Sequence, residues 1–190
     1  MDFTRSSSEI ILEVIMEKWI KQEEIHKGKI FSLWGGQVEL DNGEVAVREY
    51  IRHSGGVGIV PVVDGNVILI RQFRISIERE LIELPAGRLE PNEDPMSCAA
   101  RELEEEIGYR ARKLIPIASY FASVGNSNER MYLYLAIDLE KTEKRLEDDE
   151  RIREVVFSLD DVKKKLENQE FEDSKTIIGL REALAYFEGK

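Results

Sequence analysis

Residues 87–109 read GRLEPNEDPMSCAARELEEEIGY, and this stretch limits the fold more than any other. Asp94 followed by Pro95 suits an N-cap with proline at the first helical position, and Gly108 suits a stop, so the pattern predicts a helix over 93–107. Glu102, Glu105 and Glu106 stand at i, i+3 and i+4, so a helix puts them on one face. Each like-charged i,i+4 pair costs roughly 0.2–0.5 kcal/mol when exposed, and more in a partly buried cleft. Two readings fit such a face. One is a solvated acidic surface. The other is the wall of a site for a hard divalent cation: Mg²⁺ takes carboxylate and carbonyl oxygens and keeps positions open for water and phosphate. Arg101, four residues before Glu105, is placed to orient it through a salt bridge.

Around this helix the pattern alternates between strands and helices. Apolar spacing over 9–20, with Ser8 as cap, predicts an N-terminal helix. Residues 20–52 carry β-branched and aromatic residues around Gly35-Gly36 and Asp41-Asn42-Gly43, which predicts two or three antiparallel strands. GVGIVPVVDGNVILIRQFR predicts two strands turning at Asp64-Gly65-Asn66. Further strands are predicted near 114–121, 131–139 and VVFSL, and helices near 160–169 and 175–187. The sum is α+β: a mixed sheet with helices packed on it.

The net charge of −11 disfavours nucleic acid and anionic lipid as partners. An anionic small substrate then needs local arginines and a divalent cation. Cys98 is the single cysteine, which rules out an intrachain disulfide and a thiolate metal cage. Neither His26 nor His53 is near it in sequence, so it reads as a small buried apolar residue rather than a nucleophile. No apolar run reaches membrane-spanning length and the first residues lack a secretory pattern, so the expected location is cytoplasmic.

Gly87, Glu93, Arg101-Glu102-Leu103, Glu105-Glu106 and Gly108 fall at the spacing G-x5-E-x7-R-E-U-x-E-E-x-G-U, where U is a bulky aliphatic residue. This resembles the Nudix box at every fixed position; only the last aliphatic departs, as Tyr109. The resemblance implies a Nudix-type α/β/α sandwich in which Gly87 makes a tight turn. It also implies Mg²⁺, with Mn²⁺ as a substitute, held by Glu102, Glu105, Glu106 and the carbonyl of Ala86.

Upstream, Arg71-Gln72-Phe73-Arg74 and Glu83-Leu84-Pro85-Ala86-Gly87 resemble the pattern of ADP-ribose pyrophosphatases and related nucleoside diphosphate sugar hydrolases. In that branch Arg71 and Arg74 would grip the diphosphate, since guanidinium forks bond phosphate bidentately; otherwise they are exposed charges at a strand end. Glu83 would bond base or ribose, or be a surface strand residue. The resemblance divides the chain into an extension (1–19), a β segment exchanged across a homodimer (20–52) and the hydrolase domain (53–190), with Arg52 helping to hold substrate. Phe31 or Trp34 would stack on a base, although core or dimer packing fits both better. In FASVGNSNERMYLYLA, Val124 replaces the usual proline of SPGxSxE, which leaves the base and sugar open, while Glu129 is kept as a substrate or metal contact or a capped turn. Glu150 is the first choice of general base, with Asp149 and Glu105 as alternatives.

The expected activity is therefore Mg²⁺-dependent hydrolysis of a nucleoside diphosphate sugar by attack of a metal-activated water on phosphorus. The rivals are the same fold acting on GDP-mannose, a dinucleoside polyphosphate or a nucleoside triphosphate, and a nucleotide-sugar-binding regulator that does not cleave.

Overall fold

The computed structural model describes residues 16–146 and 150–189. Two compact units divide the chain between Tyr50 and Ile51. In the first, strands β1 (Lys18–Lys27), β2 (Phe31–Glu39) and β3 (Val45–His53, which runs on into the second unit) form a sheet in that order. Strands β1 and β2 are antiparallel, with register shifts between Trp19 and Lys21 and between Glu24 and His26. A Cβ on Gly36 would lie 2.0 Å from the Lys21 carbonyl oxygen, so only glycine admits this approach. The helix expected over 9–20 is corrected at its end: residues 18–20 lie in β1, where pairing with β2 overrides local apolar spacing. Residues 9–15 of that expectation lie outside the described residues.

The second unit is built on seven described strands: β4 (Gly56–Val63), β5 (Asn66–Arg74), β6 (Arg79–Glu83), β7 (Ala86–Arg88), β8 (Tyr109–Phe121), β9 (Arg130–Lys141) and β10 (Ile152–Ser158). The order is β10-β5-β4-β9-β8, with β6 on β5 and β7 on β4. The β4–β9 pair is parallel and the other pairs are antiparallel, so the sheet is mixed. Asp64 and Gly65, both at positive φ, turn β4 into β5.

Side-chain alternation sorts the core into two layers. Val57, Ile59, Ile68, Ile70 and Ala136 pack against Cys98, Ala99, Leu103 and Ile107 of α1 (Pro95–Ile107). Val60, Val62, Val67, Leu69 and Leu135 pack against α2 (Leu159–Glu167) and α3 (Ser174–Glu188) through Val162, Leu166, Leu180 and Ala183. The result is an α/β/α sandwich. Helices on both faces explain why β4 and β5 read as continuous apolar runs. Each fully buried leucine or isoleucine contributes roughly 1.5–3 kcal/mol. Among the described residues, no helix is long and apolar enough to cross a membrane.

Candidate active site

Helix α1 starts and stops as its sequence dictates. Asp94 Oδ2 accepts from the Met96 and Ser97 N–H groups, both at 3.1 Å, and Gly108 closes the helix at φ 68°, donating to the Glu104 carbonyl at 3.0 Å. The apolar face fixes the rotation of the helix against the sheet. That rotation buries Glu106 to 3% exposure, with its Oε2 accepting from the Ala86 N–H at 2.8 Å. Glu102 lies flat on β7: a Cβ at Gly87 would fall 1.9 Å from Glu102 Cδ. The turn expected of Gly87 is thus corrected. It sits inside β7 without positive φ, and what matters is the absence of a side chain where the carboxylate passes.

Arg101 organises the acidic face. Its Nε and Nη2 fork onto Glu93 at 2.9 and 3.1 Å, while Nη1 reaches Glu102 Oε1 at 2.7 Å and Glu105 Oε2 at 3.0 Å. Glu93 is itself held by the Glu90 N–H at 2.9 Å, and the Arg101 hydrogen bonds draw its carboxyl down to about 2. One guanidinium therefore orients three carboxylates, as its planar fork allows and an ammonium does not.

Burial drives the Glu106 carboxyl up to about 8, against the opposing Ala86 hydrogen bond and with help from the charges of Glu102 and Glu150. Glu102 is also raised, first by burial and then by Glu105 and Glu150. The charge of Glu150 acts on both carboxylates; Asp149 lies outside the described residues. Among the described residues no three His, Cys, Asp or Glu side chains already converge as a metal cage, and Arg101 engages Glu102 and Glu105. The donor set nevertheless fits a hard divalent cation. It consists of carboxylate oxygens, and one of them is a buried carboxyl whose ionised form is disfavoured by burial more than the Ala86 N–H and the charge of Arg74 favour it.

A second charged cluster lies at the end of β6. Glu83 is 2% exposed, so the surface reading is corrected. Arg74 forks onto it through Nε at 2.6 Å and Nη2 at 2.8 Å, and Lys175 pairs with the same carboxylate. Burial pushes the Glu83 carboxyl up, but the combined pull of Arg74 and Lys175 leaves it below its ordinary value. Lys175 also contacts Asp173 at 3.0 Å, and Asp173 caps α3 through the Thr176 N–H. Arg71 is looser, 3.9 Å from Glu80, and Arg52 is exposed on β3.

A cavity of about 260 Å³ opens beside the Ala86–Gly87 backbone, walled by Tyr120, Glu129, Asp173, Ser174 and Lys175. Glu129 lies here, its Oε1 3.5 Å from His53 Nδ1. The sequence offered no signal for Tyr120, Asp173, Ser174 or Lys175. They come from β8 and the start of α3, far from residues 87–109, and belong to no spacing pattern.

A family model described as NUDIX domain matches residues 52–177. The chain is 39% identical over 173 residues to an ADP-ribose pyrophosphatase of Bacillus subtilis (strain 168), covering 90% of this chain and 94% of that one. It is 36% identical to a methanol dehydrogenase activator of Bacillus methanolicus, over 87% of this chain and 91% of the relative. A solved structure titled as that of an ADP compounds hydrolase superposes with a TM-score of 0.83 at 23% identity, covering 94% of this chain and 98% of the other; at that identity it speaks for the fold.

Proposed function

The chain belongs to the NUDIX family, and on that premise we propose that it hydrolyses the diphosphate linkage of a nucleoside diphosphate sugar of the ADP-ribose kind. The products are a nucleoside monophosphate and a sugar phosphate. The observation that carries this reading is the acidic stripe of α1, with Glu106 buried against Ala86 and Glu102 laid on Gly87, tied together by Arg101. The names of full-length relatives point the same way.

Glu102, Glu105, Glu106 and the carbonyl of Ala86 would hold a divalent cation, Mg²⁺ or in its place Mn²⁺, which polarises phosphate oxygens and acidifies water. Arg101 keeps the carboxylates at fixed separations. Arg74 spends one edge of its guanidinium on Glu83, and its remaining N–H groups are left for the diphosphate, with Arg71 alongside. Glu150, whose charge is felt by Glu102 and Glu106, takes the proton of the attacking water, and Glu105 is the alternative base. Arg52 and Glu129 hold substrate.

Residues 20–52 pair with a second copy of the chain in this reading. Trp19, Ile20, Ile25, Phe31, Val45 and Val47 of the three-stranded sheet are exposed, which favours coverage by a partner. The single buried cysteine suits a reducing cytoplasm.

The test is incubation with ADP-ribose, GDP-mannose and UDP-glucose with Mg²⁺ or Mn²⁺. AMP release from ADP-ribose is expected to lead. A faster GMP or UMP release would move the substrate within the family. Tight ADP-ribose binding with no metal-dependent product would instead make the chain a non-catalytic binder.

A further inference from the structure

Ala86 turns its backbone toward the acidic stripe. In the pairing of β7 with β4 it stands opposite Gly58, between the bond from the Ile59 N–H to the Pro85 carbonyl at 2.9 Å and the bond from the Leu89 N–H to the Gly55 carbonyl at 3.2 Å. Hydrogen-bonded and non-hydrogen-bonded pairs alternate along antiparallel strands, so Ala86 falls in a non-hydrogen-bonded pair and points both its N–H and its carbonyl away from β4. The N–H goes to Glu106 Oε2 at 2.8 Å. Strand β4 therefore holds Ala86 only through its neighbours, and Pro85 has no N–H to contribute.

The next backbone donor upstream is Leu84, which lies between β6 and β7. Its N–H donates to Thr176 Oγ1 of α3 at 2.9 Å. Thr176 is fully buried, and its one hydroxyl hydrogen goes to Asp173 Oδ2 at 2.5 Å, so the oxygen is held as an acceptor for Leu84. Capping α3 does not require this hydroxyl, because Asp173 Oδ2 already takes the Thr176 N–H at 3.0 Å. Lys175 lies 3.0 Å from the same Asp173 oxygen and pairs with Glu83, the residue before Leu84. Packing adds a second hold on Leu84: a Cβ on Gly179 would fall 2.7 Å from Leu84 Cδ1.

We propose that Thr176 is a positioning residue for the cation site: its hydroxyl holds the Leu84 amide and thereby sets where the Ala86 carbonyl and N–H stand against Glu106. This rests on the reading that Ala86 and the acidic stripe hold a divalent cation. The link is short and stiff. Peptide planes are rigid and Pro85 fixes its own φ, so a shift at Leu84 is passed on to Ala86. Mg²⁺ demands near-octahedral oxygens at about 2.0–2.1 Å, so a small displacement of one oxygen weakens its hold. The same turn of α3 steadies Glu83 through Lys175, and Glu83 takes the fork of Arg74.

The experiment compares wild type, Thr176→Val and Thr176→Ser. Mn²⁺ binding is titrated without substrate, from the electron paramagnetic resonance signal of the free ion, and only the binding that Glu106→Gln abolishes is counted. Unfolding temperature is measured in chelator. Valine keeps the shape and loses the hydroxyl, and T176V should bind Mn²⁺ about tenfold more weakly than wild type. Serine keeps both hydroxyl bonds, and T176S should bind within about twofold of wild type. A fall in unfolding temperature for T176V with wild-type Mn²⁺ affinity overturns the inference, since it makes the hydroxyl a purely structural bond. An equal loss of affinity in T176S and T176V also overturns it, because the hydroxyl is then not what matters. If T176V is unfolded at the assay temperature, Thr176→Cys takes its place: its thiol bonds weakly, a loss of about threefold is expected, and wild-type affinity again overturns the inference. A wild type with no such Mn²⁺ binding overturns both the cation site and this role. Hydrolysis of ADP-ribose is scored separately. The expected Mn²⁺ affinities without AMP release leave Thr176 in its role and refute only the hydrolytic reading.

Discussion

Replacing Glu106 with glutamine tests the electrostatics of the site without changing its shape. The wild-type carboxyl ordinarily titrates at 4.5 but in the folded protein holds its proton to about 8, chiefly because it is buried. Between those values the unfolded chain has released the proton and the folded chain has kept it. The unfolded state then binds fewer protons, so stability falls as pH rises. The contribution is complete below 4.5 and is gone once the pH passes about 8. At about 1.4 kcal/mol per pH unit, the gap corresponds to roughly 5 kcal/mol. Glutamine stays neutral and its oxygen still accepts from the Ala86 N–H, so E106Q escapes this penalty. Urea unfolding in chelator should show the variant more stable than wild type by roughly 5 kcal/mol at pH 8.5, with the gap narrowing steadily toward pH 5. Far-UV circular dichroism is the proper readout, because both tryptophans, Trp19 and Trp34, lie in the first unit and would not report on this site. Adding Mg²⁺ should recover stability in wild type and much less in E106Q, and E106Q should be inactive. Equal stabilities at pH 8.5 in chelator, or a difference that does not change with pH, would refute the claim that burial of this carboxylate strains the metal-free site.

Gly87→Ala would put a methyl group 1.9 Å from Glu102 Cδ, so the carboxylate must swing off β7. Metal-dependent turnover should fall at least about 100-fold, while stability drops by only about 1–3 kcal/mol in chelator denaturation; near-normal turnover would mean that Glu102 does not act from that position. Arg101→Lys keeps the charge but cannot fork onto Glu93 and reach Glu102 and Glu105 together. Steady-state kinetics should show at least a tenfold loss of kcat/KM, and full activity in this variant would remove Arg101 from the role of spacer.

What could be read from the residues alone was what depends on near neighbours in the chain. Asp94, Pro95 and Gly108 set the limits of α1, and the i, i+3, i+4 spacing set its acidic stripe, because capping and helical periodicity act within one or two turns. The apolar runs of β4 and β5 were legible for the same reason, and so was the burial of Cys98. Strand β6 was not, since RELIE is largely polar and shows its partner only when it pairs with β5.

Tertiary packing decided the rest. It carried Glu83 inside and gave it Arg74 from the neighbouring strand β5 and Lys175 from the distant α3, turned Gly87 from a bend into a bed for Glu102, and brought Tyr120, Glu129 and the start of α3 around one cavity. Sequence spacing controls which side chains share a helix face or a strand face. Burial and long-range charge pairing depend on which faces meet, and that is a property of the folded chain as a whole.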